Sequence, residues 1–293
     1  TKFTYVGKPF TRSDSYLKVT GKAKYTGDIK LPGMVHARIL RPPALGAKLK
    51  SVDVSGAEKI EGVKVVRDGD FIAVVSENRD KADEAVVKID AEYSFTEIEV
   101  NDKTICERML NSDMAARVFS SSGDLAEGRR LSETIIESEF TDPFLAHAPI
   151  EPHTALAHFE GDKMTVWAAT QRPFAAQEAV AGRLGLPLEK VRIITPFVGG
   201  GFGGKNAFDQ CVEAARLAKL CGKPVMLAWT REEEFFYDNF HTAGVIKINS
   251  GIDKSGMISL WDYNIYYSGT RGAEPIYEVP NARVTSYSKS KQA

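Results

Sequence analysis

The sequence predicts an α+β protein in two consecutive parts, and three observations carry that expectation. Short apolar runs alternate with polar residues through the first hundred positions, in the manner of half-buried strands. Strand-like and helix-like periodicities then interleave from residue 134 onward. Between them lies the Ser- and Gly-rich stretch "FSSSGDLAEG", residues 119–128, where periodicity fades. The 293 residues, 43% of them hydrophobic, suffice to bury a core in about two domains.

In the first part, strands are expected at "MVHARIL" (34–40), "GVKVV" (62–66), "FIAVV" (71–75) and "YSFTEIEV" (93–100), punctuated by Gly, Pro and Asp. A helix is expected over Asp80–Asp90, where Ala82, Ala85, Val86 and Ile89 share a face. Residues 101–127 read as a linker, which gives domains over 1–115 and 125–293. The second part reads strand "TIIESEF", strand "TALAHFE", strand "KMTVWAAT", helix "PFAAQEAVAGRLG", strand "VRIITPFV", a glycine loop, helix Asn206–Cys221 and strand "PVMLAWT". That order makes βαβ units. The runs "AGVIKINSGID" and "MISLWDYNIYYSG" then form a hairpin, and the charge run "REEEF" (231–235) reads as a solvated strand-to-helix turn.

Charge and cysteine usage narrow the function classes. Lys and Arg number 38 against 39 Asp and Glu, a net charge of -1, which leaves no basic footprint for nucleic acid. Cys106, Cys211 and Cys221 lie far apart with no C-x-x-C pair, so no disulfide framework or thiolate metal site is encoded, and a reducing cytoplasm is the expected location. No apolar run approaches the roughly 18 residues of a membrane helix, and "TKFTYVGKPF" is not a signal peptide. Thr1 in place of Met and the abrupt end "SKSKQA" suggest a processed chain or a piece of a longer one.

The glycine loop "TPFVGGGFGGKNAFDQ" (195–210) follows an apolar strand and opens onto a helix that is closed by Gly222 and Pro224. Its backbone N–H groups and the helix dipole suit a phosphate or another electron-rich group. Gly199, Gly204 and Lys205 satisfy most of a phosphate loop, but Asn206 stands where that loop needs Ser or Thr for magnesium. Gly199, Gly201 and Gly204 satisfy a dinucleotide fingerprint, but its acidic residue would come late, in "WTREEEF", beside Arg231. A ligand-free turn is disfavoured because so many glycines forfeit backbone entropy.

A fourth reading is a resemblance. "GGGFGGK" is similar to the glycine loop of the molybdenum hydroxylases, the xanthine dehydrogenase and aldehyde oxidoreductase family, and further stretches agree in order. "GKAKYTGDIKLPGMVHARILRPP" (21–43) resembles the family's hammerhead opening, "AHAPIEPHTALA" (146–157) the entry to its first cofactor domain, and "WAATQRPF" (167–174) its S/A-T-Q segment. "GKPVMLAWTREEEF" (222–235) and "YEVPNARV" (277–284) continue the match, so the likeness covers essentially the whole chain.

The resemblance implies a hammerhead-type α/β domain followed by the first molybdenum-cofactor-binding α+β domain, the amino-terminal half of the molybdopterin-binding subunit. It implies that Gln171 hydrogen-bonds an oxygen ligand of molybdenum, and that Gly200, Gly201, Phe202 and Gly203 pass against the cofactor, with Gln171 and Phe202 just outside the metal's own ligands. Gln suits that position because it offers donor and acceptor without charge. Asn206 stands where purine-oxidising members carry glutamate, so xanthine is expected to be a poor substrate. The implied reaction oxidises a C–H bond of an N-heterocycle or aldehyde with water as oxygen source. Its cofactor is molybdenum–molybdopterin, the cytosine dinucleotide form included, and electrons leave through [2Fe-2S] clusters and FAD on partner subunits. The general base belongs to a second cofactor domain or subunit, so none is assigned among these residues.

His147, Glu151 and His153 invite a zinc reading, but Pro149 and Pro152 prevent a helix from aligning them, and the resemblance implies structural roles. The competing functional expectations are a non-catalytic scaffold or cofactor-insertion homologue of the same fold, and an NAD-binding dehydrogenase.

Overall fold

A computed structural model describes residues 2–97 and 100–288. The chain divides into two compact units, each assembled from two separate segments: residues 1–96 with 146–239, and residues 97–145 with 240–293.

The first unit is built on a seven-stranded sheet in the order Val191–Ile194, Lys163–Ala168, Thr154–Glu160, Val225–Ala228, Val35–Ile39, Phe71–Ser76, Val63–Asp68. The central strands are covered on both faces, which is why they read as nearly unbroken apolar runs: Thr154 to Ala157 are all buried. Strand alternation divides the core. Ala73 and Val75 join the cluster beneath the helices Pro173–Leu184 and Asp209–Cys221, while Ile72 and Val74 join Ala82 and Ala85 of the helix Arg79–Val86 on the other face. The two long helices are bounded as their sequences direct. Pro173 occupies the first turn of one, and Gly185 (φ 62°) and Gly222 (φ 63°) close both in the left-handed conformation. Asn78 opens Arg79–Val86 by accepting from the N–H groups of Asp80 and Lys81.

This sheet corrects the expectation of a self-contained first part. Val35–Ile39 pairs in parallel with Val225–Ala228, Val35 opposite Val225, so strands from both expected domains share one sheet. Partners 190 residues apart leave no trace in local periodicity, which reports which face of a strand is buried and not which neighbour it has. A division into consecutive domains, 1–115 and 125–293, therefore differs from the interleaved compact units.

The second unit carries a five-stranded sheet in the order Ala115–Ser122, Ala282–Ser288, Ile258–Tyr266, Gly244–Ile252, Thr134–Asp142. The hairpin lies where the sequence predicts it, with Val245 opposite Tyr266. The linker does not: residues 101–127 contain the helix Ile105–Leu110, the strand Ala115–Ser122 and the start of the helix Leu125–Leu131. The strand is hard to read because it is an exposed edge that packs neither face in a core, and its partner, Ala282–Ser288, lies about 160 residues on. "SGDL" is a tight turn with Asp124 as helix cap, its carboxylate accepting from the N–H groups of Ala126 and Glu127.

Other element boundaries shift by a few residues. The helix expected over Asp80–Asp90 is Arg79–Val86, and the one expected from Asn206 starts at Asp209 because Gly204–Asn206 forms a separate 3-10 turn. The strand expected at 93–100 runs Asp90–Ser94, and Ile98 and Glu99 lie outside the described residues. Lys48–Asp53 is an unexpected strand, paired with Asp90–Ser94. Among the described residues no helix is long and apolar enough to cross a membrane.

Candidate functional site

Two adjacent parallel strands bring the site together. Trp167 pairs with Ile194, so Ala169–Gln171 and the glycine loop leave the same carboxyl edge of the sheet, where open α/β sheets place their ligands. Thr170 and Gln171 meet the loop there through three hydrogen bonds. The Gln171 backbone N–H donates to the Lys205 carbonyl at 2.9 Å, the Thr170 hydroxyl donates to the same carbonyl at 3.3 Å, and the Gly203 N–H donates to Gln171 Oε1 at 3.1 Å. A backbone N–H can only donate, so the amide oxygen faces the loop and the NH2 group is left to donate elsewhere.

The loop lies flat on polar side chains, and this dictates its glycines. A Cβ at Gly201 would overlap Gln171 Oε1, one at Gly203 would lie 2.9 Å from His147 Nε2, and one at Gly204 would overlap Asp238 Oδ2. Glycine at 203, with a φ of 118°, and at 204 is thus favoured by the chain's own side chains beneath the loop, and a larger residue at 201 would displace the Gln171 side chain. Between them Phe202 takes a positive φ of 54° and is 76% exposed. Strain of this kind in a non-glycine residue costs about 1–3 kcal/mol and clusters at ligand sites.

One carboxylate holds both ends of the loop. Glu151 Oε2 accepts from the Gly199 N–H at 2.7 Å and from the Lys205 ammonium at 2.9 Å. The Lys205 side chain is fully buried, and burial pulls its ammonium below the ordinary lysine range, against the pull of Glu151. Deeper still, His153 Nδ1 lies 2.8 Å from Glu234 Oε1, which also accepts from the His153 backbone N–H. Burial pushes the Glu234 carboxyl up, but the hydrogen bonds from His153 outweigh it and hold the group below the usual glutamate range. Asp238, buried beside them without such donors, is pushed up by desolvation. His147 Nδ1 donates to the Asn239 carbonyl at 2.7 Å.

The structure therefore brings Gln171, Gly201 and Gly203 into direct contact, places Gly200 under the Phe202 ring, and leaves the Asn206 side chain exposed with only its backbone N–H bonded, to Gly203 O at 3.1 Å. The zinc reading of His147, Glu151 and His153 does not form, since Glu151 turns to Lys205 while His153 turns to Glu234. "REEEF" is not a solvated turn. It is the first part of the helix Arg231–Tyr237, with Glu233 closing a capping box on Thr230 and Glu234 only 1% exposed. Sequence reasoning misses Glu151, Lys205, Glu234 and Asp238 as a buried cluster. The one signal is Lys205 itself, a cation inside a loop whose phosphate template fails.

Comparison with known proteins agrees with this geometry. The profile of the molybdopterin cofactor-binding domain matches residues 110–288, and that of the aldehyde oxidase and xanthine dehydrogenase a/b hammerhead domain matches residues 20–71. A nicotinate dehydrogenase subunit of Pseudomonas putida is 28% identical, over 90% of this chain and 23% of that protein. A probable xanthine dehydrogenase subunit of Bacillus subtilis is 30% identical, over 97% and 45%, and the nicotinate dehydrogenase large molybdopterin subunit of Eubacterium barkeri is 28% identical, over 94% and 72%. The chain thus spans less than half the length of two of these relatives. Quinoline 2-oxidoreductase from Pseudomonas putida 86 shares the fold with a TM-score of 0.79 at 21% identity, over 96% of this chain and 44% of that one. Aldehyde oxidoreductase from Desulfovibrio gigas does so with a TM-score of 0.77 at 19% identity, over 94% and 37%. The chain belongs to the molybdopterin cofactor-binding domain family, with the hammerhead domain of the aldehyde oxidases and xanthine dehydrogenases preceding it in sequence.

Proposed function

We propose that this chain supplies the glycine-loop side of a molybdenum-cofactor site in a hydroxylase that oxidises a C–H bond of an N-heterocycle or aldehyde, with water as oxygen source. The observation that carries the reading is the Gln171–Gly203 hydrogen bond across a loop where a Cβ at Gly201 would displace the Gln171 amide. It leaves an uncharged NH2 donor beside the exposed Phe202 of a glycine-rich loop, a donor set that suits an oxygen-rich anionic group. The bound molybdenum cofactor supplies the redox and oxygen-transfer chemistry. Gln171 orients and polarises by donation from its amide, Gly200, Gly201 and Gly203 with the backbone of Phe202 form the wall against which the cofactor rests, and Asn206 meets the substrate. The hammerhead and first cofactor domain follow one another in sequence, over residues 1–115 and 125–293, although strands of both share the seven-stranded sheet. No residue of this chain is assigned as general base.

The names of the relatives, which are dehydrogenase subunits, support a complex in which a second molybdopterin-binding domain or subunit completes the site and iron–sulfur and FAD subunits carry electrons away. The cytosine dinucleotide form of the cofactor and a cytoplasmic location belong to the same reading, the latter supported by three free cysteines. Exposed apolar residues on the edge strand Thr134–Asp142, Ile136 and Phe140 among them, support a large obligate interface within the second unit, of more than about 2,000 Å². Turnover of xanthine, nicotinate and a simple aldehyde by the complete complex and by the chain alone tests the proposal. The complex should hydroxylate and the isolated chain should not. Turnover by the chain alone would contradict the need for a second domain, and a complex free of molybdenum would favour the scaffold reading instead.

A further inference from the structure

We propose that His153 and Asp238, with Glu234 orienting the imidazole, form a binding site for one divalent transition-metal ion, zinc in kind, beneath the glycine loop and separate from the molybdenum cofactor. Their donor atoms all lie within 4.8 Å of one another. His153 Nε2 stands 3.7 Å from Asp238 Oδ1, too far for a hydrogen bond but a fitting separation for two ligands that each approach an ion at about 2.0–2.2 Å. The side chains are 0% exposed for His153 and 1% for both acids.

Four of their atoms, His153 Nε2, Glu234 Oε2 and both Asp238 oxygens, are buried with no hydrogen-bond partner among the described residues. Buried polar atoms without partners are uncommon, and four in one cluster call for a further partner. The tautomer agrees. Glu234 Oε1 lies 2.8 Å from His153 Nδ1, so that nitrogen carries the proton and the Nε2 lone pair faces the Asp238 carboxylate. A carboxylate holding one ring nitrogen so that the other can ligate is the arrangement metal-binding histidines use.

Charge balance gives the valence. Glu151 is neutralised by Lys205 at 2.9 Å, and His147 spends its Nδ1 proton on the Asn239 carbonyl. Glu234 meets His153, and Asp238 lies 3.6 Å from His147 Nδ1, so two buried carboxylates have only imidazoles beside them and a divalent ion supplies the positive charge. The mixed imidazole and carboxylate set selects a transition metal over calcium or magnesium. Asp238 reaches this position because Gly204 has no Cβ to exclude it, which ties the ion to the seating of the loop.

To test this, the full chain, in the complex with which it purifies, is stripped with a chelator and titrated with Zn2+ and, separately, Co2+. Metal is counted by mass spectrometry together with molybdenum and iron. One equivalent of zinc should be retained through gel filtration, and Asp238→Asn and His153→Gln should each weaken binding about tenfold or more. His241→Ala should leave it unchanged, since that exposed imidazole stands 3.4 Å from Asp142 at the surface. Folded wild-type protein that retains no zinc or cobalt, or an Asp238→Asn variant that binds as wild type does, overturns the proposal. Should both variants fail to fold, X-ray absorption at the zinc edge of the wild type decides: one imidazole with carboxylate oxygens is expected, and a shell containing sulfur or several imidazoles contradicts it.

Discussion

The two sides of the glycine loop differ in burial and charge. Beneath it, Lys205, His153, Glu234 and Asp238 are buried and charged or polar, with Lys205 bonded to Glu151 and His153 to Glu234. Outside it, Phe202, Gln171 and Asn206 are exposed, and Phe202 holds a conformation its side chain disfavours. The glycines are shared by both sides. They make room for the side chains below and bring the backbone close to Gln171 above. A loop rich in glycine would ordinarily be mobile; this one is held through Gly199 and Lys205 by a single carboxylate.

The largest expected effect breaks the underside. Lys205→Met leaves the half-buried Glu151 without its cation and should cost about 3 kcal/mol in thermal or urea unfolding, the lower end for buried pairs that lose one member. Adding Glu151→Leu to it should recover part of that loss, because two apolar residues then replace the pair. A single variant as stable as wild type would mean that the clasp does not hold the loop. On the outer side, Gln171→Ala should keep the fold and the cofactor but lower kcat by roughly tenfold to a thousandfold, the usual range for one polarising hydrogen bond. Steady-state kinetics with molybdenum content measured on the same sample separates the two effects, and an unchanged kcat would return Gln171 to a merely structural amide. The smallest effect belongs to Asn206. Asn206→Glu should raise kcat/KM for xanthine relative to nicotinate by about tenfold or less, since an exposed charge acts weakly. No change in that ratio removes Asn206 from the substrate site.

The outer side is legible in the sequence and the underside is not. Gln171 and the loop belong to short motifs, and their meeting follows from two strands expected on either side of one helix, which the pairing of Trp167 with Ile194 bears out. Glu234 is hidden by its neighbours. In "REEEF" three successive glutamates look alike, and only the packing of a helix against a histidine 81 residues away distinguishes the one that is buried. Sequence proximity groups Glu151 with His147 and His153, while the fold supplies Lys205. The same limit applies to the fold. Val35–Ile39 is readable as a strand but its parallel neighbour Val225–Ala228 is not, and the exposed edge strand Ala115–Ser122 lacks the alternation that burial imposes.

That the loop and Gln171 hold a molybdenum cofactor is tested most directly by molybdenum per chain in the purified complex, wild type against Gly201→Val. A valine Cβ at 201 overlaps the Gln171 amide and carries a branched side chain into the loop, so it should displace the donor while leaving the sheet beneath intact. We expect one molybdenum per chain in the wild type and essentially none in the variant, with unchanged far-ultraviolet circular dichroism. Full molybdenum occupancy in a folded Gly201→Val protein would contradict the assignment of the site.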